Sequence, residues 1–368
     1  MHSRLAVLGA TGSIGRQALE VAASHAGQLR VTAMSCRSSA EACGDLASAH
    51  GARVAVKDRD GEQAVIDLAR ADDVDLVLVA IPGIAALRPT LAALEAGKAV
   101  AIAAKEVLVV GGHLVRRLVP EGAGVRLRPV DSEHCALWQC LRGEDRASVA
   151  SVTLTASGGP FRELALDDMR TVRAAEALRH PTWSMGPKVT IDSATLVNKG
   201  YEVVEAHWLF DLPYERIEAV IHPESIVHAL VRFSDGSVKA QLAEPDMRLP
   251  IQYALLYPDR RRSPVRSLRL EDAALTFGAI DAARYPCFGI VIEAARRGAA
   301  AAIAVNAADE VAVERFLRGE IPFTGIPEML ERARTLAERS GLGREPELDA
   351  ILAFDAEVRR ALSAPAVV

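Results

Sequence analysis

Short apolar runs alternate with longer stretches of helical spacing through the first 130 residues. The runs at 5–8, 31–34, 54–56, 76–81, 100–103 and 125–127 are rich in Val, Leu, Ile and Ala and read as strands. Strands separated by helix-length segments predict βαβ units, and hence an α/β fold opening with a doubly wound parallel sheet over 1–130. The pattern then changes. Runs at 152–155, 189–191, 219–221, 226–233 and 237–242 read as strands, broken by Gly/Pro turns and by a helix-like stretch at 200–210. This ordering predicts a central α+β domain over 131–257. Pro258, Pro264, Pro286 and the run Arg260, Arg261, Arg262 mark a linker over 258–286. From 287 to 368, Ala, Leu, Glu and Arg at helical spacing, with a turn at 322–327, predict a helical domain.

Charge narrows the functions open to such a chain. Its 368 residues carry 43 Lys and Arg against 48 Asp and Glu, a formal charge of −5, which argues against a nucleic-acid binder. The longest small-apolar tract, 299–305, is far short of the roughly 20 residues needed to cross a bilayer. No export signal is visible at the N-terminus. Cys36, Cys43, Cys135, Cys140 and Cys287 form no Cys-x-x-Cys pair. They read as reduced packing residues of a cytoplasmic protein.

Directly after the first run comes Gly9-Ala-Thr-Gly12-Ser-Ile-Gly15, followed by a helical stretch. Glycines at such a turn let backbone amides approach a pyrophosphate at a helix N-terminus, which makes the first domain Rossmann-like. A tight strand-to-helix turn alone is the other reading. At the end of the second strand, Arg37 and Ser38 stand where an NAD-selective site usually offers a carboxylate. A cation and hydroxyls suit a 2′-phosphate and favour NADP, with a solvent-facing arginine as the alternative.

Asp131-Ser132-Glu133 follows the sixth strand, at the carboxyl edge where α/β sheets bind ligands. Asn198, Glu202 and Glu205 share one face of the next long helix. Asp131, Glu133 and Glu202 together would make an oxygen site for Mg²⁺ or Mn²⁺. Equally, Asp131 or Ser132 would cap a helix near His134, and Glu202 would pair with Lys199. Ser157-Gly158-Gly159, with Ser193, Asn198 and Lys199, describes a phosphate nest. His180, Trp183, Met185 and Gly186 lie in a loop able to fold over a ligand. His207, His222 and His228 read as core histidines.

Taken in this order along nearly the whole chain, these motifs resemble the 1-deoxy-D-xylulose 5-phosphate reductoisomerase family. Lys105-Glu106, residues 245–251 and residues 305–313 add to the likeness. The resemblance implies a homodimer of three-domain subunits. It implies that Asp131, Glu133 and Glu202 hold Mg²⁺ or Mn²⁺, with Co²⁺ a further candidate, and act in catalysis with Lys105. Ser157, Ser193, Asn198 and Lys199 would bind the phosphate of a sugar-phosphate substrate. Lys105, Ser132, Glu133 and Glu202 would lie along its oxygens, and His180, Trp183 and Met185 would close over it. Gly9, Thr11, Gly12, Ser13, Ile14, Arg37, Ser38, Glu106 and Gly186 match NADPH contacts. The implied reaction rearranges the carbon skeleton of 1-deoxy-D-xylulose 5-phosphate and reduces the product to 2-C-methyl-D-erythritol 4-phosphate.

Three positions depart from the family's usual pattern. Ala104 stands in place of Asn before the Lys-Glu pair, Cys36-Arg37-Ser38 replaces Gly-basic-Asn, and Asp309 replaces Asn. A simple NADP-dependent dehydrogenase of a phosphorylated or semialdehyde substrate is the alternative enzyme, and it needs no carboxylate cluster. A nucleotide sensor would leave Lys105, the carboxylates and the loop unexplained together.

Overall fold

A computed structural model describes residues 2–179, 183 and 185–363. Its first sheet contains β1 (Ser3–Leu8), β2 (Leu29–Cys36), β3 (Arg53–Val56), β4 (Leu76–Val79), β5 (Ala99–Ile102) and β6 (Leu127–Pro129). They lie in the order β3-β2-β1-β4-β5-β6, every pairing parallel. The crossovers run through α1 (Ser13–Ser24), α2 (Ala40–His50), α3 (Lys57–Arg70), α4 (Leu87–Glu95) and α5 (Lys105–Leu118). Both faces of the sheet are covered, and all four residues of β4 are buried. That is why these strands read as unbroken apolar runs in the sequence.

The strand order reverses direction between β1 and β4, which opens a crevice at their carboxyl ends. Gly9 turns the chain there with φ of +90°, and a Cβ on it would stand 2.4 Å from the Ala80 carbonyl oxygen. Only glycine fits that turn.

A second sheet, β7 (Val149–Ala156), β8 (Ile217–Ile221), β9 (Val227–Phe233) and β10 (Val238–Leu242), has the order β10-β9-β7-β8. The β7–β8 pairing is parallel and the other two are antiparallel. Around it lie α6 (Ser132–Leu141), α7 (Ala174–Ala177), α8 (Pro187–Thr195), α9 (Val197–Phe210) and α10 (Arg248–Leu256). Helix α10 returns to the first sheet, where Ile251, Ala254 and Leu255 share a core with Val7, Met34 and Leu76.

The remaining helices are α11 (Pro286–Arg297), α12 (Ala299–Leu317), α13 (Gly325–Ala337) and α14 (Leu348–Ser363). Helix α12 is buried on nearly every side, as expected of a helix that is apolar all round. It packs against α11, α13 and α14 and also against α5 and α8, so the helical layer reaches the other two parts of the molecule. No described helix is long and apolar enough to cross a membrane.

Two expectations fail locally. Residues 189–191 are helical, within α8, although Val, Thr and Ile favour strands. Pro187 at the first helical turn and the Thr190 hydroxyl, which donates to the Gly186 carbonyl at 2.9 Å, settle the helix start against that preference. Residue Val125 precedes β6 and is 62% exposed. The buried run that forms the strand begins two residues later, at Leu127.

Candidate active site

A cleft of about 210 Å³ opens at the carboxyl ends of β1, β5, β6 and β7 and is closed on one side by α8 and α9. Ser13, Ile14, Lys105, Asp131, Ser132, Glu133, Ser157, Trp183, Met185, Gly186, Ser193, Asn198, Lys199 and Glu202 all line it. Gly9, Thr11 and Gly12 form the adjoining turn that starts α1. Arg37 and Ser38 are exposed beyond the end of β2. Glu106 is buried behind the cleft wall, 3.8 Å from Lys188. His180 lies outside the described residues.

At the cleft floor, Asp131 caps α6: its carboxylate accepts from the Glu133 amide at 3.2 Å. The capping and ligand readings of the sequence are therefore one geometry, because the cap places Asp131 and Glu133 side by side. Leu196, with φ of +58°, makes the sharp joint between α8 and α9. That joint brings Asn198 and Glu202 over the same floor, and Asn198 donates to Glu202 Oε1 at 2.6 Å across one helical turn. Oxygens of Asp131, Glu133 and Glu202 come within 4.8 Å of one another.

Two ammonium groups balance this charge. Lys105 pairs with Asp131 and stands 3.3 Å from Glu202 Oε1. Lys199 lies 3.0 Å from Glu133 Oε1 and also pairs with Glu202. Burial opposes ionisation of Glu133, but Lys199, His228 and Lys105 outweigh it and hold the carboxyl down at about 2. Burial likewise opposes the Lys199 charge, and Glu133 and Glu202 reverse that and raise it. Hard oxygen donors, converging without any thiolate, suit an oxygen-preferring divalent cation.

His134 and Glu205, which carried no role in the sequence reading, stand directly behind this set. The His134 Nε2 faces the Glu202 carbonyl oxygen at 2.8 Å, and because that oxygen only accepts, Nε2 carries the proton. Its Nδ1 then points at Asp131 Oδ1 (3.3 Å) and Glu205 Oε2 (3.7 Å). Burial pushes the Glu205 carboxyl up. The spacing was available in the sequence, since His134 follows Asp131, and Glu205 follows Glu202, by one helical turn. His228 is a partial correction. It is buried, as read, but it also borders the cleft, with the Trp183 ring 6.4 Å away. Gln17, Ser225 and Met247 also line the cleft and were not singled out from sequence.

The phosphate-nest residues gather at the end of β7. Gly159, with φ of +67°, sits so close to α8 that a Cβ would stand 2.8 Å from Ala194 Cα and 2.9 Å from the Ser193 carbonyl oxygen. Its amide donates to Ser157 Oγ at 3.2 Å. The glycine is thus what allows Ser157 and Ser193 to face one cavity. At the other end, the Arg37 guanidinium is 84% exposed and 4.0 Å from Asp58.

Residues 5–60 and 45–112 match the model of the 1-deoxy-D-xylulose 5-phosphate reductoisomerase family, residues 127–210 its C-terminal domain, and residues 242–361 the DXP reductoisomerase C-terminal domain. The chain belongs to this family. It is 48% identical over 377 residues to the 1-deoxy-D-xylulose 5-phosphate reductoisomerase of Geobacillus kaustophilus, covering 96% of this chain and 97% of that one. Against that of Thermomicrobium roseum it is 46% identical over 371 residues, covering 96% and 95%. A crystal structure of DOX-P reductoisomerase in complex with NADPH, fosmidomycin and magnesium superposes with a TM-score of 0.89 at 35% identity, covering 98% of this chain and 97% of that one. The Zymomonas mobilis enzyme in complex with NADPH gives 0.86 at 34% identity, covering 99% and 98%.

Proposed function

We propose that this protein converts 1-deoxy-D-xylulose 5-phosphate to 2-C-methyl-D-erythritol 4-phosphate, using NADPH and Mg²⁺ or Mn²⁺. The observation that carries the reading is a single cleft holding the converged carboxylates, two lysines, the phosphate nest and the glycine turn. A simple dehydrogenase has no use for the carboxylates. The activity and both cofactors accord with the names of the relatives at 42–48% identity and with the neighbour that holds NADPH and magnesium.

Asp131, Glu133 and Glu202 hold the divalent cation. Bound there, it supplies Lewis-acid polarisation of a substrate carbonyl. Lys105, already beside Asp131 and Glu202, is placed to hold or return a proton at a substrate oxygen. Ser157, Ser193, Asn198 and Lys199 grip the phosphate, and Ser132 orients a hydroxyl. Trp183 and Met185, with His180, cover the substrate and exclude water, so that fragments formed by carbon–carbon cleavage recombine before they escape. The turn at Gly9, Thr11, Gly12, Ser13 and Ile14 seats the pyrophosphate on the N-terminus of α1. Arg37 and Ser38 take the 2′-phosphate, and Gly186, from the cleft wall, and Glu106, from behind it, complete the NADPH contacts. NADPH supplies the reducing equivalents.

The same reading makes the protein a cytoplasmic homodimer, with units at 1–130, 131–257 and 287–368 joined by a linker at 258–286. Its test is turnover. Purified protein with NADPH, 1-deoxy-D-xylulose 5-phosphate and Mn²⁺ should consume NADPH, stop on addition of chelator, and yield the branched erythritol phosphate. Consumption that survives complete metal removal would count for the simple dehydrogenase instead.

A further inference from the structure

Behind the cleft lies a second ionic group, of which the proposed function uses only Glu106. Lys188 Nζ is 2.6 Å from Asp192 Oδ2 and 2.7 Å from Asp309 Oδ2, with Glu106 Oε1 at 3.8 Å. The Tyr201 hydroxyl donates to Asp309 Oδ2 at 3.3 Å, and the Lys188 ammonium stands 5.1 Å from the centre of the Tyr201 ring. Asp192, Tyr201 and Asp309 are buried. Burial opposes the Lys188 charge, yet Asp192 and Asp309 raise its pKa well above the ordinary lysine value.

Nearly every member is adjacent in the chain to a cleft residue. Glu106 follows Lys105, Asp192 precedes Ser193, Tyr201 precedes Glu202, and Lys188 comes two residues after Gly186. Asp309 alone comes from α12, in the helical layer. The group therefore ties α5, α8 and α9, which carry the cleft wall, to a helix that contributes nothing to the cleft.

Helix α8 needs such a tie. It has nine residues, including Val189, Thr190, Ile191 and Thr195. Helices this short and rich in β-branched residues are not stable by themselves. Tertiary contacts must fix its position, and Lys188 lies in its first turn, directly after the segment holding Trp183, Met185 and Gly186.

We propose that Lys188 is a positioning residue: bridging Asp192 and Asp309, it locks α8 to the helical layer and so holds Ser193, Met185 and Gly186 in register with the substrate. This deepens the reductoisomerase reading and rests on it for its kinetic consequence. It has a structural consequence that does not.

The test compares Lys188→Met with Lys188→Arg in the full-length protein. Two readouts are followed: steady-state kinetics with 1-deoxy-D-xylulose 5-phosphate, and amide hydrogen exchange resolved by segment. Lys188→Met should raise the substrate KM by about tenfold or more, with a smaller change in kcat. Exchange over 186–195 should speed up ahead of the rest of the molecule, and Lys188→Arg should largely restore both. A fall in thermal stability with KM and local exchange unchanged overturns the proposal, because it leaves Lys188 a merely structural residue. If Lys188→Met does not fold, Lys188→Met/Asp309→Asn replaces it, since it leaves one unpaired buried carboxyl, Asp192, instead of two. That double variant should show the same KM and exchange changes. Should the parent protein lack turnover altogether, the reductoisomerase reading falls, and the exchange pattern alone decides whether Lys188 locks α8.

Discussion

Lys199 Nζ lies 3.0 Å from Glu133 Oε1, an ion pair that joins the first turn of α9 to the first turn of α6 inside the cleft. The same ammonium pairs with Glu202. One lysine thus stands between two carboxylates, Glu133 and Glu202, and close to a third, Asp131. Ionised oxygens held together in this way are what a hard cation requires.

Glu202→Gln removes one charge from that set while leaving the turn at Gly9 untouched. Its affinity for Mn²⁺, followed by electron paramagnetic resonance of the free ion, should fall by at least about tenfold, with turnover lost. NADPH affinity, measured by fluorescence titration, should stay within about threefold of the parent. Undiminished Mn²⁺ binding would remove Glu202 from the ligand set.

His134 fixes the geometry from behind. Its Nε2 donates to the Glu202 carbonyl, and this bond ties α6, which Asp131 caps and which carries Glu133, to α9. His134→Asn should weaken Mn²⁺ by about 10–100-fold, the usual effect of removing an orienting partner. A Tm drop without any change in Mn²⁺ affinity would reduce it to packing.

Coenzyme choice should depend on Arg37. Its guanidinium is solvent-exposed and pairs only loosely with Asp58, at 4.0 Å. Such a group can turn to a 2′-phosphate at little cost. Arg37→Ala should weaken NADPH by about tenfold and NADH by less than about twofold. Asp58→Asn should act the opposite way and tighten NADPH. Equal losses for the two coenzymes on removing Arg37 would place the 2′-phosphate elsewhere.

Stability should depend on pH through Asp309. Burial pushes its carboxyl up, and Glu310 adds to this, while Lys188 and Tyr201 oppose it. Asp192, pushed up by burial and by Asp309, shares the same ammonium, and Glu106 and Cys287 face the same group. A carboxyl whose folded pKa is raised binds its proton more tightly in the folded state. The resulting stabilisation is complete below the unfolded pKa of about 3.9 and is lost as pH rises through the folded value. Asp309→Asn keeps an oxygen for Lys188 but cannot ionise. The Tm of Asp309→Asn relative to the parent should therefore climb as pH rises above about 4, the unfolded carboxyl value. A constant difference above that pH would mean that Asp309 does not titrate there.

Much of this molecule was legible before any coordinates. The parallel sheet announces itself because strands buried on both faces need unbroken apolar runs, and the glycine turn because no other residue fits beneath Ala80. Asp131, Glu133, Glu202, Asn198 and Lys199 were also visible, because helical spacing and strand ends restrict where polar residues can point. Residues 189–191 misled, since local preference for strand cannot register a proline and a threonine hydroxyl fixing a helix start one turn earlier.

The sequence alone determined the strand order along the first 130 residues, the glycine turn and the residue types of the site, since these follow from periodicities of a few residues and from backbone sterics. The tertiary structure alone decided which groups meet. Asp309 lies 121 residues beyond Lys188 yet 2.7 Å from its ammonium, and His228 reaches the cleft only because β9 pairs with β7. Contacts of that kind depend on how buried faces pack, and packing is a property of the assembled core that no short stretch of chain encodes.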